Sequence, residues 1–113
     1  MQWMKDIIKH NIEGRTASDA RTWAEDVRNY GCAGGSVSGL IWYSETEKIY
    51  RDNEYDIIEA LDNAGYYDDC GKKDLIRRTI VQICNDSVWA IFEMCVQDYT
   101  EQMIEELNLS DEE

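Results

Sequence analysis

The stretch LIWYSETEKIY, residues 40–50, decides whether this fold contains a β-hairpin or consists of helices alone. Its β-branched and aromatic residues suit two short strands, LIWY and KIY, paired across SETE. The same SETE, Ser44 to Glu47, has the S-x-x-E spacing of a capping box, in which two side chains bond the free N–H groups at a helix start. We therefore predict a helix start at Ser44, and a hairpin at 40–50 remains the alternative.

Helical spacing of apolar residues precedes this stretch. A first run ends at Gly14, a residue type that commonly terminates helices, and predicts an amphipathic helix of about three turns. Its apolar positions are Trp3, Met4, Ile7, Ile8 and Ile12. A second helix should begin with Thr16 or Ser18 as N-cap and end at Gly31. The face that it buries should hold Ala20, Trp23, Ala24, Val27 and Tyr30.

Helical spacing also continues after the stretch. Three apolar residues predict a helix that stops near Gly65. These are Tyr55, Ile58 and Leu61. From Lys72 the helical period runs to the tail, but one straight helix of that length would measure about 50 Å, and a domain of this size should be about 35 Å across. We therefore expect a break or kink at a group of good N-cap residues, which are Asn85, Asp86 and Ser87.

The length and composition of the chain indicate one folding unit. The 113 residues contain no proline, no low-complexity linker and no internal repeat. We predict an all-α fold, a compact single-domain bundle of about five or six helices. It should occupy residues 1–113 and end in a short acidic C-terminal tail.

The glycine-rich segment at residues 31–39 has a structural interpretation. A phosphate-binding loop would need the G-K-[ST] arrangement, which is missing here. Gly31 and Gly35 are therefore interpreted as a packing turn that lets two helices approach. An aromatic ligand cage is likewise less favoured than a core, because the aromatic positions coincide with predicted buried faces. The structural aromatic residues in this interpretation are Trp42, Tyr43, Trp89 and Phe92.

The cysteines and the single histidine give no sign of a cofactor. The four cysteines form no CxxC pair and no signal-peptide pattern opens the chain, so cytosolic thiols are expected. Cys84 and Cys95 lie about 16 Å apart along a continuous helix, which excludes a disulfide between them. His10 has no Cys, Asp or Glu at metal-binding spacing. We expect no metal, no catalytic residue and no membrane span.

The charge of the chain is its most unusual property. It carries 24 acidic and 11 basic residues, a formal net charge of -13. This disfavours nucleic acid and anionic membranes as direct ligands and indicates a basic or neutral partner. Three acids on one side of the last helix form a ridge near its C-terminus, where they oppose the helix dipole, and no Lys or Arg after Arg78 compensates them. This ridge is Asp98, Glu101 and Glu105, and we assign it to partner binding with help from Asp52, Asp56 and Glu59.

Residues 31–46 resemble the signature GC-x-x-G-x-V-x-x-LIYY-x-DT of a family of short uncharacterised proteins encoded by phages and plasmids. NDSVWAIFEMCV, residues 85–96, is similar to a later segment of that family. Trp42 and Glu45 stand where the signature has Tyr and Asp, and YYDDCGKKD in the middle matches poorly. The resemblance implies a mobile-element origin and a helical fold, and it carries no catalytic residues.

Acidity and this resemblance together suggest a function. We expect a non-enzymatic phage protein, a DNA mimic of the anti-CRISPR or anti-restriction type, that occupies a basic nucleic-acid-binding surface on a host protein or ribonucleoprotein. It would act in the cytoplasm of the host bacterial cell as a monomer or homodimer. The alternatives are a small cytosolic adaptor or regulator that dimerises through the Trp42 and Tyr43 region, an enzyme with a carboxylate pocket, and acidity that serves solubility alone.

Overall fold

A computed structural model describes residues 1–30, 41, 43–65 and 79–110. Within these ranges the chain is all-α, with five helices and no strand. The helices are α1 (Gln2–Ile12), α2 (Ala17–Tyr30), α3 (Tyr43–Asp52), α4 (Glu54–Asn63) and α5 (Ile80–Leu107). The predicted all-α fold is thus confirmed. The alternative hairpin at 40–50 is wrong, because α3 begins one residue before Ser44 and includes the whole of KIY.

The contacts between residues divide the chain into two compact units. The first consists of Met1–Ser38 and Phe92–Glu113, and the second of Gly39–Ile91. Helix α5 contributes its N-terminal part to the second unit and its C-terminal part to the first.

In the first unit, α1 and α2 bury most of the faces that their sequences predict, while Trp3, Ile7 and Trp23 are partly exposed. Met4, Ile8 and Ile12, at i, i+4 and i+8, are fully buried. Each such side chain contributes about 1.5–3 kcal/mol when it leaves water. The ring of Trp3 stacks on Phe92 with 6.0 Å between ring centroids. From α2 and α5 the buried residues of this unit include Ala20, Ala24, Val27, Val96 and Met103.

The ends of α1 and α2 are closed by local hydrogen bonds. Gly14 has a φ of +83° and ends α1, as the sequence predicts. Thr16 Oγ1 accepts a hydrogen bond of 3.1 Å from the N–H of Asp19, so Thr16 is the N-cap of α2. The N–H of Ala17 donates to the carbonyl of Ser110 at 2.8 Å. Ser110, in the segment that follows α5, is therefore hydrogen-bonded to the first residue of α2.

In the second unit, α4 forms where Tyr55, Ile58 and Leu61 predict a helix. Ile57 and Leu61 are fully buried, whereas Tyr55 is 77% and Ile58 37% exposed. Of the three apolar residues that predicted the helix, only Leu61 therefore belongs to the core. Each residue turns the helix by about 100°, and the pair at i and i+4 formed by the two buried residues faces the core instead. Gly65, with a φ of +75°, follows α4 near the predicted stop.

Helix α5 runs without interruption for 28 residues, so the predicted break near Asn85 to Ser87 is wrong. Asn85 and Ser87 are 7% and 1% exposed and lie inside the helix. No glycine or proline occurs between residues 80 and 107, and therefore nothing terminates the helical hydrogen bonds. At 1.5 Å per residue this helix is about 42 Å long.

The start and the end of α5 explain its length. The N–H of Gln82 donates to Thr79 Oγ1 at 3.2 Å, and the N–H of Thr79 donates to Gln82 Oε1 at 3.1 Å. This reciprocal pair is a T-x-x-Q capping box. At the other end Asn108 has a φ of +53°, and the N–H of Leu109 donates to the carbonyl of Ile104 at 3.0 Å. These bonds form a Schellman motif.

Candidate functional site

Helix α4 carries a concentrated negative charge on its exposed side. Its ten residues contain four acids and no base. Five exposed side chains on it line a groove that is open to solvent. These are Glu54, Tyr55, Ile58, Glu59 and Asp62, and we call them the α4 face. On a helical wheel they fall within an arc of about 140° that does not include the buried Ile57 and Leu61.

Asp52 and the acids of α4 form no ion pair with a base among the described residues. Asp52, Asp56 and Glu59, which the sequence assigns to partner binding, are all exposed. Arg51, the nearest base in sequence, already bonds Glu47 one turn earlier at 3.0 Å. Within the described ranges, α4 is therefore an exposed acidic surface without ion pairs.

The dipole of α4 favours only part of this charge. Glu54 and Asp56 lie in the first turn, where the partial positive charge of the helix stabilises them. Asp62 lies in the last turn, where the dipole is unfavourable and no base offsets it. Stability therefore does not account for the carboxylate at the C-terminal end of α4.

The ridge on α5 differs from the expectation in one respect. Asp98, Glu101 and Glu105 are all exposed, but Arg21 of α2 donates to both carboxylate oxygens of Glu101 at 2.7 and 3.3 Å. The premise that no base compensates the ridge is thus wrong for Glu101. Asp98 and Glu105 have no ion-pair partner within the described ranges. The prediction considered only bases that follow Arg78 in the chain. It therefore missed Arg21, which lies on another helix.

The ridge and the acids of α3 and α4 lie in different units. Asp98, Glu101 and Glu105 belong to the first unit, and Asp52, Asp56 and Glu59 to the second. Each group is therefore a binding surface to be judged by itself.

The described cysteines are poor candidates for chemistry. Burial raises the pKa of the Cys84 thiol, and the charges of Glu47 and Glu54 add to this, partly offset by Arg51. Burial also raises the pKa of Cys95, with a further contribution from Asp98. A raised pKa keeps both thiols protonated and weakly nucleophilic. Both are free thiols.

No group of three or more His, Cys, Asp or Glu residues that could hold a metal occurs in the part of the chain that the structure describes. In the same part, no helix is both long and apolar enough to cross a membrane. His10 is exposed on α1.

The predicted structural residues are described only in part. Trp89 and Phe92 are 4% and 0% exposed. Gly31, Gly35 and Trp42 lie outside the described residues, as does the side chain of Tyr43, whose backbone begins α3. The interpretation of the glycine-rich segment as a packing turn thus stays a prediction.

Comparison with known protein families assigns this chain to a family of unknown function. A model for a domain of unknown function, DUF7222, matches residues 5–106, which is most of the chain. The chain belongs to the DUF7222 family. No curated protein and no solved structure matches it. Helices α2 to α4 and most of α1 and α5 lie within the matched residues, so the α4 face and the ridge are both parts of the DUF7222 domain.

Sequence reasoning found the acids of this domain but missed its exposed apolar residues. Tyr55 and Ile58 were grouped with Leu61 as the apolar positions of one helix, and their exposure was not predicted. The pair Ile57 and Leu61 has an equally good spacing, so spacing alone does not choose between the two. A usable signal was present, since acids at 54, 56, 59 and 62 surround Tyr55 and Ile58 on the wheel and leave Ile57 and Leu61 on the single uncharged side.

Proposed function

We propose that this protein is a non-enzymatic inhibitor, of the anti-CRISPR or anti-restriction type, that binds a basic nucleic-acid-binding surface of a host defence protein or ribonucleoprotein. The observation that carries the proposal is the charge of α4, which has four acids, no base and no ion pair among the described residues. The resemblance of residues 31–46 to proteins of phages and plasmids supports the mobile-element origin. The family match names no activity.

The spacing of these charges supports mimicry of a nucleic-acid strand. A ten-residue helix is about 15 Å long, so four carboxylates give about one charge per 3.8 Å of axis. One strand of B-DNA carries a phosphate about every 3.4 Å. A basic channel that follows a strand would therefore meet a similar charge density on α4. Release of counterions from both surfaces would favour the complex.

The ridge on α5 contributes a second, smaller charge. Asp98 and Glu105 remain part of the proposed binding surface. Glu101 contributes less, because Arg21 already balances its carboxylate. A net charge of -13 would also accelerate encounter with a basic target.

The proposal is tested by removing charge from α4 without changing shape. Asp56→Asn, Glu59→Gln and Asp62→Asn are combined in one variant, because all three side chains are exposed. We expect this variant to fold normally, to lose most of its inhibition in a phage plating assay, and to show a shallower dependence of binding on salt. A control variant with Glu13→Gln and Glu25→Gln changes exposed acids of the charge-balanced first 28 residues and should keep full inhibition.

Two outcomes would contradict the proposal. Inhibition by the α4 variant that equals that of the parent protein at the same ionic strength would make the acids a merely solvated surface. An absence of protection by the parent protein against every restriction and CRISPR system of a host panel would contradict the inhibitor function itself.

One observation favours the second candidate function, a small adaptor or regulator that acts through an apolar interface. A tyrosine that is 77% exposed beside a partly exposed isoleucine is typical of interface anchors. Salt separates the two functions. Binding by charge mimicry should weaken steeply between low and high salt, whereas an apolar interface should hardly respond.

A further inference from the structure

The α4 face combines two features that seldom occur together on a small helical surface. Tyr55 and Ile58, at i and i+3, are neighbouring apolar side chains that are 77% and 37% exposed. Carboxylates surround them, with Glu54 before the pair and Glu59 and Asp62 after it. An aromatic ring surrounded by acids that form no ion pair among the described residues offers both an apolar contact and negative charge to one partner.

The open shape of the groove favours a macromolecular segment over a small molecule as its occupant. Small-ligand sites are concave and bury most of their ligand's surface. The groove on α4 is open to solvent and its described lining comes from a single helix. A segment of a macromolecule that lies along the helix covers such a surface far better.

The charge of the face excludes a second copy of the same face. In a two-fold dimer the same patch meets itself, so every carboxylate of the α4 face would approach carboxylates of its partner. Like charges held together across an interface are unfavourable. The complementary partner is a basic segment.

The combination of ring and carboxylates further selects arginine over lysine. A guanidinium stacks on an aromatic face and can pair with a carboxylate at the same time, whereas an ammonium is a compact, strongly hydrated charge. Glu59 follows Tyr55 at i+4 and Asp62 at i+7, which places both carboxylates on the same side of the helix as the ring. One arginine can therefore contact Tyr55 and an acid together.

We propose that the α4 face is the docking site for an arginine-containing basic segment of the partner protein, with an arginine side chain on the ring of Tyr55 and an apolar side chain against Ile58. The proposal rests on the proposed function and adds the chemistry of the partner. It states that Tyr55, and not charge alone, determines which basic proteins are bound.

The experiment uses the full chain and short helical peptides as probes. One peptide contains arginine and leucine, a second has lysine at every arginine position, and a third has glutamate there. Binding is measured by fluorescence anisotropy at physiological salt. We expect the arginine peptide to bind most tightly and the glutamate peptide not to bind. Tyr55→Ala should weaken the arginine peptide by about 2–30-fold, the range of a cation–π contact, and Tyr55→Phe should retain its affinity.

A matched control tests whether any exposed apolar residue would serve. Met94 on α5 is 46% exposed, comparable with Ile58. Ile58→Ala should weaken the arginine peptide, whereas Met94→Ala should leave its affinity unchanged. Circular dichroism verifies that each variant keeps its helical content, since neither side chain belongs to the core.

Three results would overturn the proposal. The first is equal affinity of Tyr55→Ala and the parent chain for the arginine peptide. The second is equal affinity of the lysine and arginine peptides. The third is a concentration-dependent dimer that Tyr55→Ala abolishes.

The failure of this proposal can be told apart from failure of the proposed function. If Tyr55→Ala inhibits the host target like the parent while the α4 charge variant does not, the docking proposal is wrong and the inhibitor function stands. If neither the parent nor any variant inhibits, the inhibitor function is wrong, and the peptide measurements still decide the chemistry of the face.

Discussion

Thr100 on α5 gives the sharpest prediction about stability. It is 1% exposed, and its Oγ1 has no hydrogen-bond partner within the described part of the chain. A buried hydroxyl without a partner carries its full desolvation penalty, about 1–3 kcal/mol. Valine has the same branched shape without the hydroxyl, and its helix propensity is close to that of threonine. Thr100→Val should therefore raise the free energy of unfolding by about 1–3 kcal/mol.

The assay is reversible urea unfolding followed by circular dichroism, with thermal unfolding as a second measurement. Each kcal/mol should raise the melting temperature by about 4 °C in a chain of this size. Thr46→Val is the matched control, because Thr46 is 0% exposed and has an interaction partner. This control should lower stability, since it removes a satisfied polar group from the core.

The opposite signs of the two variants make the reasoning refutable. A Thr100→Val protein that is less stable than the parent would show that the hydroxyl has a buried partner, such as an ordered water. A stabilised Thr46→Val protein would show that burial alone, and not hydrogen bonding, determines the effect.

Three further predictions concern α5. Thr79→Ala removes the N-cap and should lower the free energy of unfolding by about 0.5–2 kcal/mol, with faster amide exchange in the first turn by NMR. Glu101→Gln should destabilise the protein by about 0.2–1 kcal/mol, because it breaks the pair with Arg21. Glu105→Gln should stabilise it by about 0.3–1 kcal/mol at low salt, because it removes an unfavourable charge from the C-terminal end of the helix dipole. Equal effects of the two substitutions in urea unfolding would contradict this account. Burial raises the pKa of Cys84 from 9.0, so the folded state retains this proton and its contribution to stability is lost as the pH rises above about 9. In urea unfolding from pH 8 to 10.5, the parent should therefore lose more stability than Cys84→Ala, and parallel pH profiles would refute the assignment.

The helical character of the fold could be predicted from the sequence because its signals are local. The spacing of Met4, Ile8 and Ile12 defines the buried side of α1, and Gly14 and Gly65 mark the helix ends with positive φ angles. Such signals depend on backbone geometry within one or two turns. The concentration of acids in α4 is equally a property of sequence, since no base occurs between residues 52 and 65.

Other features depended on contacts that sequence spacing does not reveal. The predicted break in α5 was wrong because Asn85 and Ser87 could act as N-caps only if the residues before them were not helical. The T-x-x-Q box that starts at Thr79 had already begun the helix before those residues. Here a local signal existed and was missed. Pairing of Glu101 with Arg21, by contrast, joins residues that are 80 positions apart.

The sequence by itself determined that this chain is helical, strongly acidic and without a recognisable catalytic or metal motif, because composition and short-range periodicity carry that information. Apolar spacing alone did not choose between two sides of α4, and tertiary structure buried the uncharged one. Ile57 and Leu61 fill the core, and Tyr55 and Ile58 are left on the surface among carboxylates. The physical reason is that a helix with apolar residues on two sides can bury either one, and packing against neighbouring helices makes the choice.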